Sequence, residues 1–215
     1  MYKALVFKEL RETIGIALIA LLAYFWVIFN ALDYQVYLGQ RGIPFLDGRF
    51  TGSFCFISTC FAIALGLWQT VVESRRGTWL FLLHRPISHA KLIGVKLAVG
   101  VMLYCLVAAA VICIYAAWAA TTKIHASPFA WWMTTDTWMA FLFIIACYFA
   151  AFLTGIRPGR WIGTRLLPIV ALAFPATLFL NLFFRWWSWG FAFLIIVYLI
   201  YLCLIFFVAR TRDFS

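Results

Sequence analysis

The chain has 215 residues, of which 67% are hydrophobic and 11% are charged, and its mean hydropathy is +1.01. An ordinary soluble domain carries about 25% charged residues, so this composition excludes one and indicates an integral membrane protein. The formal net charge of +10 does not indicate nucleic-acid binding, because the basic residues lie in short segments between apolar runs, where they act as topology signals.

The first predicted element, residues 1–13, is an amphipathic helix lying in the plane of the membrane. Tyr2, Val6, Leu10 and Ile14 recur at four-residue steps, while the charged residues of this segment fall on another side. Such a pattern is typical of a helix with one face in the lipid interface. The alternative interpretation is that this segment is only the frayed start of the first membrane span.

Six apolar segments follow, each close to the roughly 20 residues that are needed to cross a bilayer. The predicted spans are residues 14–32, 54–72, 92–120, 137–154, 166–182 and 191–208. No loop is long enough to hold a soluble domain. The predicted fold class is therefore an all-α integral membrane protein that forms a single domain over residues 1–215.

Two of these spans carry features that bear on helix packing. In the second span, Ser58, Ala62 and Gly66 form a stripe of small residues, which predicts close approach of another helix, most simply from the same chain. In the fifth span, Pro168 and Pro175 are seven residues apart. They predict either a bend in the helix or backbone carbonyls that lack their helical hydrogen bonds. The disruption would be either a mechanical hinge or a passive kink.

The segment 73–96, between the second and third spans, is the only long mixture of charged and apolar residues in the chain. Its apolar run at 79–83 is too short to cross a bilayer but fits a short helix at the membrane surface. Arg85 and Pro86 end this run, and Ser88 is placed to cap the helix that follows. We predict a short surface helix here that another protein can contact.

The basic residues predict which side of the membrane each loop faces. Of the 17 lysines and arginines, thirteen lie at the termini or in the loops after the second and fourth spans. The four on the other side are Arg41, Arg49, Lys123 and Arg185. Basic residues are concentrated in cytoplasmic loops, so we predict cytoplasmic termini and a multi-pass protein of a bacterial plasma membrane.

The sequence shows no recognisable catalytic or metal-binding pattern. It has no HExxH motif and no GxxxxGK[ST] loop, and its six cysteines form no CxxC pair. His84, His89 and His125 all fall in predicted loops. No ionisable residue lies near the middle of a predicted span, which disfavours a proton-coupled or ion-coupled carrier. We therefore expect no catalytic residue, no metal and no cofactor in this chain, and an energy source in a partner.

The segment 73–96 resembles the cytoplasmic loop between spans two and three of ABC-2 type ABC-transporter permeases. The matching residues, in order, are Glu73, Gly77, Thr78, Trp79, Leu82, Leu83, Pro86, Ile87, Ser88 and Lys96. Leu80 departs from the pattern, because an acidic residue is often found there, and His89 stands where a basic residue is frequent. The opening segment also resembles the family's N-terminal connecting helix, most closely at Lys8, Glu9, Leu10 and Arg11.

The resemblance implies a membrane subunit that works with a separately encoded ABC ATPase, which would hold the ATP and magnesium. It also implies a second permease copy, in a homodimer or heterodimer, and outward transport of a substrate. The residues implied to couple the subunit to the ATPase are Glu73, Gly77, Thr78, Trp79, Leu82, Leu83, Arg85, Pro86 and Ser88. The segment 181–190 is shorter than the re-entrant hairpin that many members have between spans five and six.

Two other functions remain open on sequence grounds. One is an integral-membrane enzyme that acts on lipid-like substrates at the cytoplasmic face with Glu73, His84 and His89. The other is a membrane scaffold or immunity-type protein that transports nothing. The uniformly apolar spans fit lipids, hydrophobic peptides, drugs or lipid-linked glycans equally well, so they do not select a substrate.

Overall fold

The structure is a computed structural model, and it describes residues 2–37, 43–72, 89–121, 129–157, 164–185 and 187–211. All regular secondary structure in these ranges is helical. The helices are α1 (Tyr2–Tyr37), α2 (Arg49–Leu67), α3 (His89–Ala119), α4 (Thr135–Ile156), α5 (Leu167–Ala171), α6 (Ala173–Arg185) and α7 (Trp187–Thr211). A π-helical turn, Trp68–Val72, extends α2, and a 3₁₀ turn, Trp131–Thr134, precedes α4.

Five of the helices, α1, α2, α3, α4 and α7, are long and apolar enough to cross a membrane. The prediction of an all-helical membrane protein is confirmed as far as the length and composition of these helices show. The predicted fifth span, residues 166–182, instead forms two short helices, α5 and α6, which are separated at Leu172. Neither α5, with 5 residues, nor α6, with 13, has the length of a spanning helix.

The two prolines explain this interruption. Pro168 lies in the first turn of α5, where its missing N–H is tolerated. Pro175 lies near the start of α6 and cannot donate the helical hydrogen bond that would join α6 to α5. The hydroxyl of Tyr201 in α7 donates a 2.9 Å hydrogen bond to the Pro168 carbonyl. The predicted disruption of the helix at the prolines is thus confirmed, and a neighbouring helix satisfies one of the carbonyls involved.

Helix α1 is continuous over 36 residues, with no boundary near residue 13 between an in-plane helix and a span. No proline interrupts this stretch. Its buried face also differs from the predicted apolar stripe by one position. The buried residues of α1 are Leu5, Glu9, Thr13, Ala17, Ala20, Tyr24, Val27 and Ala31, whereas Ile14 is exposed. Small residues on this face let α1 pack against α2 and α3.

Helix α4 forms the centre of the bundle. The most apolar stretch of α4 is 83% buried inside the structure, whereas the corresponding stretch of α7 is 22% buried. Helix α7 therefore lies at the periphery. The most extensive contact of α4 is with α2, and Gly66, the last residue of the predicted stripe, lies directly against it, whereas Ser58 contacts Tyr24 of α1. A Cβ atom at Gly66 would lie 2.8 Å from the Tyr148 carbonyl oxygen. The predicted close helix approach is therefore confirmed, and the partner helix belongs to the same chain.

Hydrogen bonds between helices supplement this packing within the apolar bundle. The hydroxyls of Tyr24 in α1 and Ser58 in α2 are 2.6 Å apart, and those of Thr51 and Thr137 are 2.8 Å apart. The Tyr104 hydroxyl of α3 donates to the Phe141 carbonyl of α4 at 3.2 Å. Each bond satisfies a hydroxyl that would otherwise be costly to bury. These contacts fix the lateral arrangement of α1, α2, α3 and α4.

Candidate functional site

The start of α1, the end of α2, the start of α3 and the end of α4 meet at one end of the bundle, which we call the basic end. Of the residues predicted for the connecting helix, Glu9 is buried, Lys8 and Leu10 are half-buried, and Arg11 is exposed. The residues predicted to couple to a partner lie outside the described residues. These are Glu73, Gly77, Thr78, Trp79, Leu82, Leu83, Arg85, Pro86 and Ser88.

A buried ion pair joins α1 to α3 at the basic end. The Lys96 Nζ atom lies 2.7 Å from Glu9 Oε1, and the side chains are only 0% and 1% exposed. The Lys8 Nζ atom is 3.9 Å from both Glu9 Oε1 and Glu12 Oε1. Removing two charges from water is costly unless they meet in good geometry. This short contact therefore ties the first turns of α1 to the first turns of α3.

A second set of hydrogen bonds joins the end of α2 to α3 and α4. The Tyr148 hydroxyl donates to Gln69 Oε1 at 2.7 Å, and Gln69 Nε2 donates to the Lys96 carbonyl at 3.3 Å. All three side chains are buried. Lys96 thus contacts Glu9 through its ammonium group and Gln69 through its backbone. We call Glu9, Lys96, Gln69 and Tyr148 the polar cluster.

Two glycines near the polar cluster leave space for side chains of the neighbouring helices. A Cβ atom on Gly100 of α3 would lie 2.1 Å from the Tyr148 hydroxyl. A Cβ atom on Gly155 of α4 would lie 1.7 Å from Thr70 Oγ1. Both distances are far below van der Waals contact, so any larger residue would displace the side chain opposite. Glycine at these two positions permits the close approach of α2, α3 and α4 around the polar cluster.

The π-helical turn Trp68–Val72 carries both Gln69 and Thr70 into this region. Within it the Thr70 hydroxyl donates to the Gly66 carbonyl at 2.9 Å. Single π-helical turns inside α-helices are uncommon and are frequent at functional sites. This turn ends at Val72, next to the segment that was predicted to contact a partner. The backbone irregularity therefore lies between α2 and that segment.

Arg165 stabilises the end of α4 on the same side of the bundle. Its Nε and Nη2 atoms donate to the carbonyls of Thr154 and Gly155 at 3.1 and 2.8 Å. Cations are favourable at the C-terminal end of a helix, where carbonyls lack helical partners. Partial burial lowers the pKa of the Arg165 guanidinium, which nonetheless stays charged at neutral pH.

The polar contacts at the basic end connect helices to one another. In the described ranges no three histidine, cysteine or acidic side chains come together in a way that could hold a metal ion. The polar cluster instead links the N-terminal helix to α2 and α3, the two helices that flank the segment 73–88.

Sequence reasoning did not predict the polar cluster. It placed Lys96 in the segment that resembles the coupling loop and Glu9 in the predicted connecting helix, but it did not predict that these residues, 87 positions apart, form an ion pair. One signal was available, because Glu9 lies four residues from Leu5 and from Thr13 on the face of α1 that is otherwise apolar or small. No comparable signal identified Gln69 or Tyr148.

Searches with protein-family models, curated proteins and solved structures find no match to this chain. The similarity to ABC-2 type permeases therefore rests on the two sequence stretches described above.

Proposed function

We propose that this chain is the membrane subunit of an ABC-2-like transporter, which moves a substrate outward with energy from a separate ATPase. In this proposal the chain crosses a bacterial plasma membrane six times, with α5 and α6 together forming the fifth crossing. The basic end faces the cytoplasm, in keeping with the concentration of basic residues there. Residues 73–88 contain the short coupling helix, and a second permease copy completes the transporter.

The observation that best supports this proposal is the ion pair between Glu9 and Lys96. Glu9 belongs to the segment that resembles the family's connecting helix, and Lys96 is the last residue of the segment that resembles its coupling loop. Their side chains meet at 2.7 Å in the interior of the bundle. The two stretches that carry the resemblance are thus physically joined, as a subunit driven from its cytoplasmic side requires.

Co-purification tests the proposal directly. The tagged chain is extracted from its native membranes in mild detergent, and the bound proteins are identified by mass spectrometry. We expect a protein with a GxxxxGK[ST] nucleotide-binding loop. Leu83→Asp places a charge among Trp79, Leu82 and Leu83, the apolar residues implied to contact the ATPase, and should abolish recovery of the ATPase. Leu80→Asp is the matched control, because an acidic residue is frequent there in the family, and it should retain the partner.

The proposal is wrong if the wild-type chain recovers no such ATPase, or if Leu83→Asp recovers it as well as Leu80→Asp does. An activity on lipid-like substrates that persists in the purified chain without any ATPase would favour the membrane enzyme instead. Insertion of each variant is checked by its presence in the membrane fraction and by gel filtration.

A further inference from the structure

A groove in the surface of the bundle lies between α7 and the broken pair α5–α6, and the end of α4 closes its base. The cavity has a volume of about 360 Å³, within the usual range for small-molecule sites. The interruption between α5 and α6 lies along one wall of this groove, where Ala171 and Phe174 line it on either side. The groove follows α7 from Phe193 to Leu204, a length of about 16 Å at the helical rise.

The groove is apolar along its length and has a cation at one end. Among the described residues that line it, the one charged side chain is Arg157, which directly follows α4 at the basic end. No described carboxylate forms an ion pair with this guanidinium. The walls come from residues such as Phe174, Ile196 and Ile200, whose side chains are largely exposed.

We propose that this groove holds one acyl chain of an anionic phospholipid, with the phosphate of its headgroup at Arg157. The surrounding bilayer is as apolar as the groove, so burial of the acyl chain alone gives little preference. Selectivity must come from the headgroup. Basic pockets between membrane helices bind anionic headgroups in this way, and one arginine near the surface contributes about five-fold in affinity. This inference is independent of the proposed transport function.

Native mass spectrometry of the full-length protein in detergent tests the site. The probes are dioleoyl-phosphatidylglycerol, which is anionic, and dioleoyl-phosphatidylcholine, which has no net charge. We expect one phosphatidylglycerol adduct on the wild type that binds more tightly than the phosphatidylcholine adduct. Arg157→Gln should weaken the phosphatidylglycerol adduct about five-fold and the phosphatidylcholine adduct clearly less, because the choline cation offsets the charge of its phosphate.

Two further variants separate this site from general charge attraction. Arg210→Gln removes an exposed arginine at the same end of the bundle, outside the groove, and should leave binding unchanged. Ala171→Phe fills the groove from an exposed position of α5 while keeping Arg157, and should also weaken phosphatidylglycerol binding.

Three results would overturn the inference. The first is equal loss of phosphatidylglycerol in Arg157→Gln and Arg210→Gln, and the second is full binding in Ala171→Phe. The third is that the wild type is a dimer, and that Ala171→Phe makes it a monomer without changing lipid binding. The groove would then be an interface between two copies of the chain.

Discussion

Two lysines of α3 occupy opposite environments. Lys91 is exposed, whereas Lys96 is buried against Glu9. Replacing Lys96 by methionine keeps the length of the side chain but removes one counter-charge of a buried carboxylate. We expect Lys96→Met to lower the free energy of unfolding by about 3 kcal/mol, because an uncompensated buried charge is costly. Thermal unfolding of the detergent-solubilised protein measures the effect.

Lys91→Met is the matched control and should change stability little, because exposed charges contribute little. The double variant Glu9→Gln/Lys96→Met removes both charges and should recover most of the loss. If Lys96→Met is no more destabilising than Lys91→Met, the ion pair does not stabilise the helix arrangement.

The residue scale is also where sequence reasoning was least complete. It identified Glu9 and Lys96 as members of two characteristic stretches, but not as partners. Pairing between residues 87 positions apart depends on how α1 and α3 cross, and no local pattern encodes that crossing. Gln69 lies three residues after Gly66 and continues the buried face of α2, but its hydrogen bonds to Tyr148 and to the Lys96 carbonyl depend on how three helices pack and could not be predicted.

At the scale of helices, the contact between α2 and α4 gives a sharp prediction. At Gly66 a Cβ atom would lie 2.8 Å and 2.9 Å from backbone atoms of Tyr148 and Phe152, which cannot rotate away. Gly66→Ala must push the two helices apart, and we expect a loss of about 1–3 kcal/mol in unfolding free energy. Chemical denaturation in mixed micelles measures it.

Gly94→Ala is the control, since a Cβ atom there would meet nothing within 4 Å. Alanine is the better helix former, so this variant should be neutral or more stable by up to about 1 kcal/mol. Equal effects of the two substitutions would show that α2 and α4 do not approach as closely as the structure indicates.

The helices themselves were largely predictable. Long apolar runs determine α2, α3, α4 and α7, and the small residues of α2 correctly predicted a close neighbour. The fifth span was predicted only in part: Pro168 and Pro175 correctly predicted a disruption, but the composition of residues 166–182 resembles that of one spanning helix rather than two short ones. Its division into α5 and α6 depends on the local effect of Pro168 and Pro175, which a hydrophobic average does not register.

At the scale of the whole molecule, the orientation in the membrane is open to a direct test. Lys3 lies at the basic end, and Thr121 follows α3 at the opposite end; both are exposed. Single cysteines at these positions are introduced after the six native cysteines are replaced by alanine. We expect a membrane-impermeant maleimide to label Thr121→Cys on intact cells, and Lys3→Cys only after lysis. The reverse labelling pattern would place the basic end outside the cell.

The membrane character of the molecule could be predicted from composition, because 67% of its residues are hydrophobic and only 11% are charged, against about 25% charged in a typical soluble domain. The convergence of four helix ends on one polar cluster could not be predicted from composition, since it arises from tertiary packing. The coupling residues at 73–88 remain a prediction from the resemblance.

The uninterrupted length of α1 has a mechanical consequence. Its 36 residues extend for about 54 Å, while the hydrocarbon core of a bilayer is about 30 Å thick. Glu9 holds this helix near one end, and the hydrogen bond between Tyr24 and Ser58 holds it further along. The 28 residues beyond Glu9 extend for about 42 Å, so a tilt of about 10° about Glu9 would move the far end of α1 sideways by about 7 Å.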